Sequence, residues 1–269
     1  LDDVDLTGKA VFLRADINSP LDPNSKRILD ATRIQAVIPT VRSLKDSKLI
    51  IGAHQSRPGK YDFTSLESHS KVLQMYLERP VKYTEDIVGE KAQKEIKAMK
   101  KGDVLVLNNV RMMEEENKKA PVEELRDTEL VQTLSKYVDY FVNDAFAAAH
   151  RSQASLVGLS NVIPMLAGRL MEQELRALNR VLDKPERPSV YLLGGAKVDD
   201  RIPVINRVLK DDIADKILIG GLVADSFQMS RGKMKKRYEE LNEEELKQVD
   251  VCRDILEEYS DQIQLPMDV

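Results

Sequence analysis

Residues 140–155 read YFVNDAFAAAHRSQAS. The apolar run Tyr140-Phe141-Val142 has the composition of a buried strand, and it stops abruptly at Asn143-Asp144. Small residues follow, then His150 and Arg151. A strand that runs out into a polar loop carrying a cation is the pattern of a parallel α/β sheet, where ligands collect beyond the carboxyl ends of the strands. The same pattern recurs along the chain. AVFL (10–13), KLIIGA (48–53), VKYT (81–84) and DVLVLN (103–108) read as further strands. They alternate with helical periodicity near 31–45, 65–77, 90–100 and 122–137.

A long amphipathic segment, 165–183, comes next and is closed by KPERP at 184–188, which predicts a connecting helix and its stop. Alternation then resumes with SVYLLG (189–194), a helix near 199–210, KILIG (216–220), a helix near 222–230 and an acidic helix near 242–259. The expected organisation is an N-terminal domain over 1–165, a connecting helix and hinge over 166–188, and a second domain over 189–269. Both domains are Rossmann-like parallel-sheet α/β units. The lysine-rich KMKKR at 233–237 reads as a solvated turn.

Composition narrows the function classes. At 269 residues, with 42% hydrophobic and 32% charged residues, the chain is long enough to bury two cores and too apolar to be disordered. Its apolar runs are far shorter than the ~20 residues of a spanning helix, and the start, LDDVDLTGKA, is acidic where a signal peptide is basic. Neither a membrane nor a secretory role is expected. The lone Cys252 has no disulfide or zinc partner in sequence, so a reducing, cytoplasmic setting is the simplest reading. A net charge of −4 argues against a nucleic-acid surface. No obligate protein partner is implied.

Cations nonetheless gather where the strands end. Arg14, Asp16 and Asn18 follow the first strand; His54 and Arg57 follow the second; Arg111 follows DVLVLN; Asp144, His150 and Arg151 follow the strand at 140–143. Arg33 opens the first helix. Any one of these arginines is equally well explained as a surface ion-pair partner, and His150 as a hydrogen-bonded structural residue. Several guanidiniums on one rim suit a small substrate with phosphate and carboxylate groups, because each can donate two parallel charge-assisted hydrogen bonds. His69 falls within a helical stretch and is assigned no role. In the second half, Gly194-Gly195-Ala196-Lys197 and Gly220-Gly221 each follow a strand. Such glycines permit close backbone approach to a ligand, and tight turns explain them equally well. Neither GxxxxGK[ST] nor GxGxxG is present, which disfavours a nicotinamide-dependent dehydrogenase.

The blocks RADINSP (14–20), DATRI (30–34), AHQSRPG (53–59), VRMMEEE (110–116), VNDAFAAAHRSQAS (142–155), GRLMEQEL (168–175), LGGAKVDDRI (193–202), LIGGLVADSF (218–227) and LPMDV (265–269) resemble, in order and spacing, the motifs of the phosphoglycerate kinase family. AHQSRPG with FAAAHRSQ is most similar to the archaeal branch. The resemblance implies reversible phosphoryl transfer between 1,3-bisphosphoglycerate with ADP and 3-phosphoglycerate with ATP, in glycolysis and gluconeogenesis, with magnesium accompanying the nucleotide. By the same resemblance His54, Arg57, Arg111 and Arg151 grip the non-transferring phosphate, and Asp16 and Asn18 hold the hydroxyl and carboxylate end. Arg33 faces the transferring group. Gly194, Gly195, Lys197, Gly220 and Gly221 meet the nucleotide, with Arg33 and Lys197 as the catalytic pair brought together by domain closure. Some positions depart from the family pattern. Arg201 stands where a second lysine is usual, VRMM lacks an aromatic after the arginine, and LNN replaces a Glu-containing LEN. The sequence also stops at LPMDV, inside the family's nucleotide domain. The resemblance places the late glycine loop and the magnesium aspartate beyond that point, so no metal ligand is expected in this chain. The alternative reading is a fragment that binds 3-phosphoglycerate without turnover.

Overall fold

The computed structural model describes residues 1–183 and 185–267 and divides into two compact units, Leu1–Leu175 and the remainder from Arg176. The first is built on β1 (Ala10–Ala15), α1 (Thr32–Ser43), β2 (Lys48–Gly52), α2 (Glu67–Leu77), β3 (Lys82–Tyr83), α3 (Glu90–Ala98), β4 (Val104–Val106), α4 (Val122–Leu125), α5 (Glu129–Leu134), β5 (Tyr140–Asp144) and β6 (Met165–Ala167). The strands form a six-stranded parallel sheet in the order β3-β4-β2-β1-β5-β6.

Strand composition explains why both faces are covered. Phe12, Ile50, Leu105 and Phe141 point to one face, against Ala92 and Ile96 of α3 and Leu130 and Leu134 of α5. Val11, Leu13, Leu49, Ile51, Val106 and Val142 point to the other, against Ile34, Val37 and Val41 of α1 and Leu73 of α2. Strands buried on both sides read as continuous apolar runs, and these do. Register brings Phe12 opposite Ile50 and Phe141, and the two phenyl rings sit 6.0 Å apart. Gly52 makes room for them, since a Cβ there would stand 2.2 Å from the Phe12 ring.

Two expected elements differ. The helix expected over 122–137 is broken into α4 and α5, because Thr128 is extended and the Glu115 carboxylate accepts from the amides of Glu129 and Leu130, capping α5 as a separate helix. The expected continuous helix from 165 begins instead as the edge strand β6, which pairs with β5. Only after Gly168 does α6 (Arg169–Leu182) start. Of its first free amides, Arg169 N donates to Thr40 Oγ1 at 2.8 Å, and Leu170 N and Met171 N to Asp144 Oδ1 at 2.9 and 3.1 Å. Lys184, in the expected stop, lies outside the described residues.

In the second unit, β7 (Val190–Leu193), β8 (Lys216–Ile219) and β9 (Ile263–Gln264) form a parallel three-stranded sheet. One face packs on α7 (Val198–Lys210), α8 (Gly221–Ser230) and α10 (Glu243–Tyr259) through Ile205, Ile217, Phe227 and Cys252. On β7, Val190 and Leu192 point away from that core and are exposed, Leu192 by 78%. KMKKR is not a turn throughout: its last residues enter the short exposed helix α9 (Lys235–Glu239).

Candidate functional site

At the carboxyl end of the first unit's sheet the chain buries an arginine. Arg14, on β1, is fully enclosed. Its Nε donates to Ser155 Oγ at 2.7 Å, Nη1 to Ala15 O at 2.9 Å, and Nη2 reaches His54 Nδ1 at 3.3 Å. Glu116, equally buried, lies 3.7 Å away. A guanidinium has no acceptor, so the Nδ1 it faces carries no proton, and His54 is the Nε2–H tautomer. Burial, reinforced by Arg14, Arg111, Arg151 and Arg33, pushes the His54 pKa down to about 2. His54 therefore enters the cluster as a neutral hydrogen-bond donor and adds no cation.

Arg111 is 7% exposed and sits in the loop after β4. Its Nη1 donates to the carbonyl of Ser56, and burial together with the charges of Arg151 and Arg14 lowers its pKa to about 10. Ser56 has a φ of 56°, unusual for a side chain other than glycine. The conformation is held from three sides: Ser56 N donates to Asn18 Oδ1 at 2.8 Å, its hydroxyl to Asp62 Oδ1 at 2.5 Å, and its carbonyl accepts from Arg111. Asn18 thus fixes the loop that carries His54 and Arg57. Asp16 accepts from Arg33 Nη1 at 2.9 and 3.1 Å, so Arg33, half exposed at the start of α1, is oriented across the rim of β1. Arg57 is exposed and Arg151 half-buried. His150 is exposed, and nothing in the geometry joins it to the cluster.

A buried amide network supports the His54 loop. Gln55 exchanges hydrogen bonds with the backbone of Ser19 (3.0 Å each way), accepts from His69 Nε2 at 2.9 Å, and its carbonyl accepts from Asn109 Nδ2 at 2.8 Å. His69, given no role from sequence, is a structural support beneath the site, its pKa lowered by burial to about 4. Glu116 and Ser155 likewise carry no role from sequence, and Arg14 is read there only as one of the cations that follow a strand. Their signal was present, since Arg14 opens RADINSP and Glu116 ends VRMMEEE, but helical or strand spacing cannot show that residues 14, 116 and 155 meet.

In the second unit the two glycine turns pack backbone to backbone. A Cβ on Gly194 would lie 2.8 Å from Gly220 O, and one on Gly221 3.1 Å from Gly195 N. Gly195 and Gly221 adopt φ of 125° and 61°, on the left-handed side of backbone space that favours glycine. The turns lead into α7 and α8, so unpaired amides of two helix starts and Lys197, at the N-cap of α7, share one rim. Lys197 is exposed and lies 3.8 Å from Asp200. Among the described residues no group of three or more His, Cys, Asp or Glu could hold a metal ion, and Asp225 is already paired with Arg237. These residues do not make a magnesium cage by themselves.

The family model described as phosphoglycerate kinase matches residues 1–269. The phosphoglycerate kinase of Methanothermobacter thermautotrophicus is 52% identical over 84% of this chain and 56% of its own length; that of Methanobacterium bryantii is 46% identical over all of this chain and 67% of its own. The crystal structure of phosphoglycerate kinase from Pyrococcus horikoshii OT3 superposes with a TM-score of 0.84 at 42% identity, covering 99% of this chain and 66% of that one. This chain thus spans between about half and two thirds of the length of these relatives. The parallel α/β architecture, the ordered motifs and these matches together show that the chain belongs to the phosphoglycerate kinase family.

Proposed function

We propose that the chain serves reversible phosphoryl transfer between 1,3-bisphosphoglycerate with ADP and 3-phosphoglycerate with ATP, the first unit holding the glycerate and the second the nucleotide. The charge balance at the sheet rim carries this reading. Glu116 and Asp16 are committed to Arg14 and Arg33, whereas Arg57, Arg111 and Arg151 form no ion pair among the described residues. Three uncompensated guanidiniums with the Nε2–H of His54 match a phosphate dianion. In this reading Arg57, Arg111, Arg151 and His54 take the phosphate that stays on the substrate, and Asp16 and Asn18 take the hydroxyl and carboxylate end. Both contacts of Arg33 to Asp16 use Nη1, so its other amino group is left to face the transferring phosphoryl.

Such a transfer needs no protein nucleophile, because the substrate carboxylate attacks the γ-phosphorus or departs from it. Catalysis rests on alignment and on neutralising charge over the equatorial oxygens. Arg33 and Lys197 are assigned to that neutralisation, and the amides around Gly194, Gly195, Gly220 and Gly221 to the nucleotide phosphates. Magnesium, as the nucleotide's companion, would supply charge that offsets the phosphates, and no residue of this chain is assigned to it. A cytoplasmic location fits this chemistry; among the described residues no helix is long and apolar enough to cross a membrane.

The runner-up reading is binding of 3-phosphoglycerate without turnover. Calorimetry with 3-phosphoglycerate and with ADP, beside a coupled assay of ATP formation, separates the two. The first reading expects binding of 3-phosphoglycerate and of ADP with ATP formation, and the second expects binding of 3-phosphoglycerate with no measurable turnover. Robust ATP formation would overturn the second reading and direct attention to Asp199 or Asp225 as a metal ligand. Failure to bind 3-phosphoglycerate would overturn both.

A further inference from the structure

Beneath the cation cluster three side chains meet without touching solvent: Arg14, Ser155 and Glu116. The Ser155 hydroxyl accepts from Arg14 Nε at 2.7 Å, so its single proton goes to Glu116 Oε1, 2.5 Å away, while Ser155 N donates to Glu116 Oε2 at 2.8 Å. Both carboxylate oxygens are engaged, and the order of donors is settled by elimination. The acidic run 114–116 divides its labour: Glu114 pairs with Lys118 at the surface, Glu115 caps α5, and Glu116 alone turns inward. Gln153 Nε2 clamps the Glu116 carbonyl at 2.8 Å.

Burying a carboxylate and a guanidinium is expensive, and apolar residues of equal volume would usually be as stable. A task beyond stability accounts better for their presence. Arg14 sits among the like charges of Arg111 and Arg151, whose repulsion would turn its guanidinium away from His54 unless something held it. We propose that Glu116 is a positioning residue: through Ser155 it holds Arg14 with Nη2 aimed at His54 Nδ1, and so fixes His54 as an Nε2–H donor for the substrate phosphate. This rests on the reading of the cluster as a phosphate site.

The sign of one substitution separates positioning from simple charge compensation. Glu116→Gln makes the pocket more positive, so a mere counterion role predicts tighter anion binding, whereas positioning predicts weaker binding. The test uses the full chain, in wild type, Glu116→Gln and Ser155→Ala. Imidazole nitrogen–proton correlation spectra report the tautomer of His54, assigned by comparison with His54→Gln, and calorimetry reports 3-phosphoglycerate affinity at fixed ionic strength. The expected result is a single Nε2–H tautomer in wild type, mixed tautomers in both variants, and affinity lower by about tenfold in Glu116→Gln, the scale of one oriented charge-assisted hydrogen bond. An unchanged tautomer, or equal or tighter binding in Glu116→Gln, overturns the proposal. If Glu116→Gln does not fold, Ser155→Ala, which keeps the charge pair, is judged by the same criteria. Should the wild type fail to bind 3-phosphoglycerate, the functional reading falls, while the tautomer spectra still decide the positioning role.

Discussion

Arg111→Met removes a nearly enclosed arginine that donates a hydrogen bond, a change that ordinarily costs several kcal/mol, yet the ligand-free fold should tolerate it. The fall of the Arg111 pKa from 12.5 to about 10 corresponds to roughly 3 kcal/mol against the charged form, at about 1.4 kcal/mol for each pH step. Partial solvent contact of the guanidinium reduces this to about 2 kcal/mol. Because the folded pKa lies below the unfolded one, the cost is fully present at pH 7 and is relieved only as pH rises through about 10. Against this gain stands the lost bond to the Ser56 carbonyl, worth about 1.5 kcal/mol from a charged donor, and methionine refills much of the stem volume. The two effects nearly cancel. Urea unfolding of ligand-free Arg111→Met should match wild type within about 1 kcal/mol, or about 2–4 °C in Tm. Ligand changes the comparison: at a hundredfold excess over Kd, 3-phosphoglycerate stabilises wild type by about 2.7 kcal/mol, and the variant should gain almost nothing at the same concentration. A loss above about 2 kcal/mol without ligand would refute the reasoning, showing that the cation at Arg111 supports the fold and is not held at a cost for binding.

Further outcomes follow from the same geometry. Arg57 is exposed, so Arg57→Ala should leave unfolding unchanged while weakening 3-phosphoglycerate binding by about 1.5–3 kcal/mol; an equal loss for ADP would point to damage to the fold. In a protein of the relatives' full length, Arg33→Ala should lower kcat with little effect on folding, and wild-type turnover would remove Arg33 from the proposed catalytic pair. Gly168→Ala would place a Cβ 2.1 Å from Asp144 Oδ1 and cost the cap of α6 two hydrogen bonds to a charged acceptor, about 2–4 kcal/mol by urea unfolding; a change under about 0.5 kcal/mol would mean that Asp144 is not holding the helix start.

Binding of 3-phosphoglycerate would, on this account, have a cost in the unliganded fold. The His54 loop is held in an unusual backbone conformation at Ser56, braced by Asn18, Asp62 and Arg111. Arginines that repel one another surround a histidine kept uncharged. Strain and repulsion of this kind persist at a site when the surrounding structure over-determines it. Here the bracing comes from the Gln55 network with Ser19, His69 and Asn109.

Some of this protein was legible in its residues alone. Buried parallel strands must be apolar on both faces and must alternate with helices, so AVFL, KLIIGA, DVLVLN and YFVN declared the sheet, and the cations that follow each run lie at its carboxyl end. Those are local rules, set by periodicity and by the backbone's need for hydrogen bonds. The structure decided what depends on approach through space. It broke the helix at 122–137 by bringing the Glu115 carboxylate to the amides of Glu129 and Leu130, and it made a strand of 165–167 by offering β5 as a partner. His54, read from sequence as a member of a basic cluster and a donor to an oxyanion, is pushed toward its neutral form, because burial and the proximity of Arg14 act over distances that chain spacing does not encode. Arg14, Ser155 and Glu116 are far apart in sequence and lie within hydrogen-bonding or ion-pair distance only once β1, the turn at Ala154–Gly158 and the segment Glu114–Asn117 are packed together. Charge, tautomer and side-chain direction at the site are properties of that packing, and no reading along the chain could supply them.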